Sequence, residues 1–396
     1  MEIQNTRALK QYNRFIILNE IIENQPVARR DLTKKLDVSH ATISYIVKDL
    51  IDDGLVVETE YLESTGGRPP RLLEFRGNGK FLIIVEISEF FLYYSIFDLN
   101  LQLISKDSLK TEEYTANEIA DLLQMKVIQL LDDQQIDYHQ LVGLGISTPG
   151  IYQEGIDRLT VSTSKVWEDV NIKSEFQQRF DLPVYIENDA NLAAYYEWAY
   201  GSGQECSGLF YIFIADGIGG GFIINNQLYK GLHGKAGEIG HIKVKESGEK
   251  CDCGGHGCLE TVSSPRAIRQ EINRRIENGE KSHLLEQHQP PYRFEQIVKA
   301  YQAGDSLCIE VIDQALHYLV NALSSLVNIY DPGVLIIGDS YNFIDEQMIE
   351  KINKDLREIC YPDMVEKLNI VRQSEHDNLQ MRATAAFVFD RWKRLA

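Results

Sequence analysis

The sequence lacks any apolar run that reaches the roughly 18–20 residues a helix needs to cross a bilayer. Residues 1–10 are polar and contain no apolar core like that of a secretory signal peptide. These absences predict a soluble, cytoplasmic protein with no membrane partner. The 396 residues, 44% of them hydrophobic, suffice for two or three domains that each bury a core.

Cysteine is scarce, and its distribution argues against a disulfide framework. The chain has six cysteines, and three of them, Cys251, Cys253 and Cys258, lie close together. In a cytoplasmic protein, thiols clustered in this way are more typical of a metal site than of disulfide bonds.

The chain also lacks a surplus of basic residues, since 40 lysines and arginines face 59 aspartates and glutamates, for a net charge of −19. Residues 1–80 hold 12 of each sign, so residues 81–396 carry the whole excess of acid. A neutral region can contact DNA through local basic residues. The acidic remainder repels phosphate and is expected to face away from a duplex.

The first eighty residues have the pattern of a winged helix-turn-helix. Apolar spacing predicts helices over 9–22 and 29–36, and Ser39 is placed to cap a third helix that runs to about Asp52. Small and polar side chains at the start of a helix suit the major groove of DNA, because they let the backbone approach the base edges. The candidate DNA-binding residues on this helix are Ser39, His40, Ala41, Thr42, Ser44 and Tyr45.

A glycine-rich hairpin follows this helix and predicts the wing. Its strands are 55–57 and 72–75, and its tip holds Gly67 and Arg68, where the arginine can enter an A·T-rich minor groove. The alternative is a small helical module for protein interaction that carries a Gly-Pro hairpin. The predicted domains are a DNA-binding module over 1–76, a linker over 77–80 and a larger domain over 81–396.

Beyond the linker, strand-like and helix-like segments alternate, which indicates an α/β fold. In such folds, polar residues at the carboxyl ends of strands line the ligand crevice, so Asn188 and Asp189 are candidate site residues. The alternative is that this pair caps the following helix. The predicted strands are 81–98 (a hairpin), 142–150, 184–189, 209–214, 217–224 and 334–339. The predicted helices are 190–200, 263–276, 306–329 and 382–392.

One glycine-rich segment contains the residues expected of a structural zinc site. His241 is followed by Cys251, Cys253 and Cys258, and one imidazole with three thiolates forms a closed tetrahedral set. A closed set leaves no open coordination position for a substrate. We therefore predict one structural zinc ion per chain, held by a motif over 241–258.

The zinc ion is expected to hold Glu238, His241 and Glu260 in place around the ligand crevice. His256 lies in the same loop and is a competing ligand. The other alternative is a set of reduced cysteines without a metal.

Taken together, these residues resemble the ROK family (repressors, open reading frames and sugar kinases) over nearly the whole chain. The matching segments are Glu187–Asp189, Gly237–His241 and Cys251–Glu260. The wing over 65–69 is most similar to the xylose-repressor-like branch. The resemblance implies a winged helix-turn-helix fused to a two-lobed α/β domain of the actin-like, sugar-kinase and ribonuclease H-like class.

The resemblance also implies a sugar site. In kinases of the family, the residue that matches Asp189 is the general base, which takes a proton from the sugar hydroxyl. His241 would bind zinc through one ring nitrogen and the sugar through the other. The residues implied to bind sugar hydroxyls are Asn188, Asp189, Glu238, His241 and Glu260.

The sequence departs from the family's kinases where they bind ATP. Their Asp-Ile-Gly-Gly-Thr-Lys loop is replaced here by Glu86–Phe91, and a later Gly-Gly pair by Gly338-Asp339. Glycine amides are what a phosphate cradle needs, and Glu89 would repel phosphate. A tight turn at Gly217–Gly221 remains, yet we predict that ATP is not used, that the protein is not an enzyme and that Asp189 serves only in binding.

The expected function is a repressor of carbohydrate-utilisation genes. A symmetric dimer or tetramer would bind a pseudo-palindromic, A/T-rich operator and be released by a monosaccharide or short glycoside. One alternative is an active ATP-dependent sugar kinase with a DNA-binding domain. Another is a repressor that is controlled by a protein partner.

Overall fold

The structure is a computed structural model that describes residues 6–61, 71–161, 164–204, 206–287, 289–374 and 378–395. The predicted wing tip, Gly67 and Arg68, lies outside these residues. The chain divides into two compact units, one formed by Met1–Asn188 with Asn378–Ala396 and the other by Asp189–Asp377. Among the described helices, none is both long and apolar enough to span a membrane.

The first unit begins with a small module of three helices and a three-stranded sheet. The helices and wing strands predicted from sequence are confirmed, and a short extra strand joins the sheet, whose order is β1-β3-β2. Two residues are too few to show an alternating pattern, so sequence analysis missed this strand. The elements are α1 (Thr6–Asn24), β1 (Val27–Ala28), α2 (Arg29–Leu36), α3 (His40–Asp52), β2 (Val56–Tyr61) and β3 (Arg71–Phe75).

A nearly buried arginine ties α1 to α3. The guanidinium of Arg14 donates to the carboxylates of Asp49 at 2.7 Å and Asp53 at 2.5 Å, and its side chain is only 7% exposed. Two carboxylates share this guanidinium, so the ion pairs join α1 to the end of α3.

The rest of the first unit is a five-stranded sheet with the order β10-β7-β4-β5-β6. Side chains of β4 alternate between its two faces: Ile83 and Val85 pack with α4 and α5, whereas Ile84 faces α14 beside Gly145. Helices therefore cover both faces. The elements are β4 (Phe81–Ile87), β5 (Phe91–Asp98), β6 (Leu103–Lys110), α4 (Ala116–Asp133), β7 (Leu141–Thr148), β8 (Ile151–Gln153), β9 (Arg158–Val161), α5 (Ile172–Phe180), β10 (Val184–Asn188) and, at the far end of the chain, α14 (Leu379–Trp392).

The second unit repeats this topology. Its sheet has the order β13-β12-β11-β14-β15, with three antiparallel strands followed by two parallel ones, as in the first unit. The elements are α6 (Asp189–Tyr200), β11 (Gly208–Ile214), β12 (Ile218–Ile224), β13 (Gln227–Leu228), α7 (Glu260–Ser263), α8 (Pro265–Glu277), α9 (Leu284–Gln287), α10 (Phe294–Gln302), α11 (Ser306–Tyr330), β14 (Val334–Asp339), α12 (Glu346–Ile359), α13 (Pro362–Lys367) and β15 (Asn369–Arg372).

Two helix boundaries differ from the prediction. The helix predicted over 263–276 is two helices, because Ser264 is extended, its hydroxyl accepts from the amide of Ala267 at 3.1 Å, and Pro265 opens α8. The final helix begins at Leu379, earlier than predicted. The residues of the predicted linker form a 3-10 turn over Gly77–Gly79.

Candidate metal, sugar and DNA-binding sites

The four predicted zinc ligands come together in the second unit. The ligand atoms of His241, Cys251, Cys253 and Cys258 all lie within 4.8 Å of one another. Cys251 Sγ is 3.4 Å from His241 Nδ1, and Cys253 Sγ is 3.7 Å from Cys258 Sγ. A tetrahedral zinc ion, with bonds of about 2.3 Å to sulfur and 2.0 Å to nitrogen, separates its ligands by about 3.5–3.8 Å. The two measured distances are close to that separation.

The loop can fold this tightly because of its glycines. Gly254 and Gly257 have positive φ values of 87° and 70°, and a Cβ on Gly257 would collide with the backbone of Lys245. The amide of Cys251 donates to the carbonyl of Gly255 at 2.9 Å, which closes the turn between the first two thiols. His256, the competing ligand considered above, is exposed and is not part of the cluster.

The three thiols differ in their preference for the charged form. Burial raises the pKa of Cys258 to about 12 and also raises that of Cys251, so both thiols favour the neutral form. A hydrogen bond from the amide of Gly255 lowers the pKa of Cys253. A divalent cation would favour the deprotonated form of all three, because it binds the deprotonated sulfur directly.

Three of the predicted sugar-binding residues lie in or beside this cluster: His241 belongs to it, and Glu238 and Glu260 are its neighbours. His241 directs Nδ1 towards Cys251, while its Nε2 lies 3.7 Å from a carboxylate oxygen of Glu238. Burial raises the pKa of Glu238, and the negative charge of Glu260 adds to the effect. The imidazole thus has one nitrogen on the metal side and the other on the carboxylate side.

Glu260 is held by two donors. Its Oε2 accepts from the amide of Ile218 at 3.1 Å, and its Oε1 accepts from Arg266 at the same distance. A Cβ on Gly217 would lie 2.6 Å from the Glu260 carboxylate, so a larger residue would displace that carboxylate. The tight turn predicted over Gly217–Gly221 is wrong: the turn is Ala215–Gly217, closed by the amide of Ala215 donating to the carbonyl of Gly217 at 2.9 Å, and the later glycines lie in β12, which pairs with β11.

Asp189 and Asn188 fall on opposite sides of the boundary between the units. Asp189 opens α6 in the second unit, and its carboxylate accepts from the amide of Ala190 at 2.8 Å. A Cβ on Gly219 would lie 3.3 Å from Ala190, so the first turn of α6 packs beside the segment that holds Glu260. Asn188 ends β10 in the first unit, where its amide donates to the carbonyl of Gly150 at 3.0 Å.

The segment that replaces the kinase phosphate loop is a tight hairpin turn between β4 and β5. The amide of Ser88 donates to the carbonyl of Phe91 at 2.9 Å, leaving Glu89 and Phe90 exposed at the turn. The carbonyl of Phe90 in turn accepts from the amide of Thr111 at 3.0 Å. A turn closed in this way offers an acidic side chain, and not a row of free amides, to an approaching phosphate.

Two further carboxylates, those of Asp216 and Asp339, lie at the carboxyl ends of β11 and β14. Asp339 pairs in register with Ile214, and its carboxylate accepts from the amides of Tyr341 at 2.8 Å and Phe343 at 3.0 Å. The hydroxyl of Tyr341 donates to Asp216 at 2.9 Å. This edge of the second sheet therefore carries negative charge where an α/β fold usually binds its ligand.

The start of α3 has the features expected of a recognition helix. The Ser39 hydroxyl caps the helix by accepting from the amide of Thr42 at 3.2 Å, as predicted. Ser44 lies 3.4 Å from the ring of His40, and both face outward together with Ala41. The six predicted DNA-binding residues therefore share the first turns and outer surface of one helix.

Sequence analysis missed two basic residues beside this surface. Lys48 is exposed one turn after Tyr45, whose ring is 59% exposed. Lys10 on α1 lies 3.2 Å from the Tyr45 hydroxyl and 5.0 Å from its ring centre. The spacing of Ala41, Tyr45 and Lys48 along one helical face was the available signal for Lys48. Lys10 is brought there only by the packing of α1 on α3.

We expect Lys48→Ala to weaken operator binding and to lower its salt dependence. Each lost phosphate contact reduces the slope of log affinity against log salt concentration by about 0.9. Titrations at several salt concentrations measure this slope, and Lys126→Ala, on the exposed face of α4, is the control. An unchanged slope would mean that Lys48 does not contact phosphate.

Comparison with known protein families decides what kind of protein carries these sites. The ROK family model matches residues 92–391, which is most of the chain. The chain belongs to the ROK family. The MarR family model matches residues 11–61, which contain the helices of the N-terminal module.

Relatives of this ROK protein include both regulators and kinases. It is 29% identical to the xylose repressor of Caldicellulosiruptor bescii over 356 residues, 88% of each chain. A crystal structure of a ROK family transcriptional regulator, described as a homolog of the E. coli MLC protein, matches with a TM-score of 0.86 and 26% identity, covering 98% of this chain and 97% of that one. The ROK hexokinase from Thermus thermophilus matches with a TM-score of 0.64 and 24% identity, over 77% of this chain and 96% of that chain, which shows a shared fold.

These matches confirm the predicted fold class, a winged helix-turn-helix joined to an actin-like, two-lobed sugar-kinase domain. The ROK family contains kinases as well as repressors, so membership alone does not decide the use of ATP. The individual sugar-binding and DNA-binding residues stay predictions.

Proposed function

We propose that this protein is a sugar-responsive transcriptional repressor of carbohydrate-utilisation genes, bound to its operator as a symmetric dimer or tetramer. The observation that carries the proposal is the exposed helix α3, capped by Ser39, on the same chain as a ROK domain. Likeness over nearly the full length to a ROK regulator and to a xylose repressor supports it. The sugar must bind the DNA-incompetent state more tightly, because only differential affinity shifts the population.

Fluorescence anisotropy on the DNA upstream of the protein's own gene, at fixed salt and across a panel of pentoses, hexoses and short glucosides, tests this function. We expect tight binding that one sugar reverses. Tight binding that no sugar changes would favour control by a protein partner. An absence of specific DNA binding would remove the repressor function altogether.

The metal centre is proposed to hold one structural zinc ion. The residues that would hold it are His241, Cys251, Cys253 and Cys258, whose spacing and donor atoms fit a closed tetrahedral site. A metal ion on Nδ1 would hold the imidazole of His241 in the orientation in which Nε2 lies 3.7 Å from a carboxylate oxygen of Glu238, and both side chains could then bind a sugar hydroxyl.

The sugar would be held by residues that form hydrogen bonds with hydroxyl groups. Asp189, Glu238 and Glu260 supply carboxylates that accept, Asn188 supplies an amide, and His241, whose Nδ1 faces the metal side, supplies an Nε2–H that donates. Since hydroxyl groups are common to all sugars, this set selects the class of ligand.

We expect no sugar-dependent ATP turnover. The exposed Glu89 in the β4–β5 turn, and Asp216 with Asp339 in the second unit, would repel phosphates. A coupled assay for ADP with each sugar of the panel measures turnover. Turnover that is lost in Asp189→Asn would revive the kinase alternative, for which the position of Asp189 at the start of α6 is the favourable observation.

A further inference from the structure

The segment Gly77–Gly79, which connects the N-terminal module to the first sheet, forms hydrogen bonds with two other parts of the chain. The carbonyl of Gly77 accepts from the amide of Leu99 at 3.0 Å, and the carbonyl of Gly79 accepts from the side chain of Gln140 at 3.1 Å. A Cβ on Gly77 would lie 2.6 Å from the backbone nitrogen of Asn100, so the two backbones touch here. The N-terminal module is therefore not attached to the first sheet by a flexible linker.

The end of α14 makes a second set of contacts with the module. The rings of Phe75, at the end of β3, and Phe389 have centres 5.8 Å apart. The guanidinium of Arg394 lies 5.7 Å from the ring centre of Phe15 on α1. Phe15 and Phe75 stay partly exposed with these contacts in place, so each contact involves one part of the ring.

Helix α14 is itself anchored to the first sheet. Gln380 donates to the hydroxyl of Ser147 at 2.7 Å, and Arg382 donates to the carbonyl of Leu101 at 2.6 Å. A Cβ on Gly145 of β7 would lie 2.5 Å from Val388, so helix and strand pack without space between them. The helix is thus a rigid support that reaches from the sheet to the module.

We propose that the last turn of α14 and the turn that follows it, through Phe389 and Arg394, form a mount that sets the orientation of the winged module. This inference rests on the proposed binding of operator DNA by a symmetric oligomer. Two rigidly mounted modules read half-sites at one separation, about 10–10.5 bp or a multiple of it. Loosely held modules can bind pairs of half-sites at several separations. The effective concentration of the second module at its half-site is then lower at each separation. Phe75 and Arg394 are therefore positioning residues for the choice of operator spacing.

A series of synthetic operators, with two half-sites whose separation grows in steps of one base pair, tests the mount by anisotropy at fixed salt. We expect the wild-type protein to prefer its best spacing about tenfold or more over one shifted by half a helical turn. The variant Phe75→Ala/Arg394→Ala is expected to reduce that preference to about twofold. Its affinity for a single half-site should stay within about twofold of wild type, because the DNA-contacting surface is unchanged.

Arg391→Ala is the matched control. Arg391 makes a contact of the same kind in the same helix, with its guanidinium 4.2 Å from the ring centre of Phe387, and it should keep the wild-type spacing preference. The single variant Arg394→Ala, at an exposed residue, replaces the double variant if the latter fails to fold. Equal binding of all spacings by the wild type, or an unchanged preference in the Arg394 variant, would overturn the mount. A wild type that binds no half-site at all would instead overturn DNA binding.

Discussion

Cys253→Ser is expected to abolish both metal binding and the sugar response. Loss of one of four ligands opens a closed tetrahedral set, so zinc should fall from about one ion per chain to about none. Without the ion, nothing holds the imidazole of His241 between the thiols and Glu238, and the sugar should no longer release the protein from DNA. Metal analysis and the anisotropy assay with the effector sugar measure the two effects.

The control for this variant is Cys206→Ser. Cys206 lies in the second unit outside the metal cluster, and its thiol donates to the carbonyl of Gly208 at 3.0 Å, a bond that a serine hydroxyl can replace. This variant should bind zinc and respond to sugar as the wild type does. A metal-free Cys253→Ser protein with a normal sugar response would show that the ion does not support the sugar site.

Asp189→Asn is expected to leave DNA binding intact and to make the protein less sensitive to sugar. A hydrogen bond to an ionised group contributes about 1.5–3 kcal/mol, so the sugar concentration for half-release should rise about 10–100-fold. The substitution keeps the shape of the side chain, and an asparagine can still accept from the amide of Ala190. Sugar titrations of the protein–operator complex measure the shift.

Asp132→Asn, on the exposed face of α4, removes the same charge at a residue outside the predicted sites and serves as the control. It should release from DNA at the wild-type sugar concentration. A sugar response in Asp189→Asn equal to that of this control would remove Asp189 from the binding set. Weakened DNA binding in the absence of sugar would indicate a structural role for Asp189.

The metal cluster was readily predicted because its ligands are local. Three thiols and one imidazole come from two nearby segments, and the glycines between the thiols allow one short loop to bring them together. The helices of the N-terminal module were predictable for a similar reason. Apolar spacing and the cap at Ser39 act within one or two turns of the chain.

Other features had no local signal. The two-residue strand β1 exists only because β3 lies beside it, and the repeated strand order of the two units leaves no repeat in the sequence. The position of Lys10 beside Tyr45 depends on how α1 packs against α3. Such contacts join residues that are distant in sequence, where periodicity and spacing carry no information.

The sequence by itself determined the class of protein and the composition of its parts: a helix-turn-helix module, a His-Cys set that could hold a metal and a segment without glycines at Glu86–Phe91. Only the tertiary structure decided that Asn188 and Asp189 belong to different units, and that the amide of Ile218 at the start of β12 holds Glu260. It also decided that the predicted linker is held by Leu99 and Gln140. The physical reason is that side-chain chemistry is a property of single residues, whereas orientation arises from close packing between distant segments.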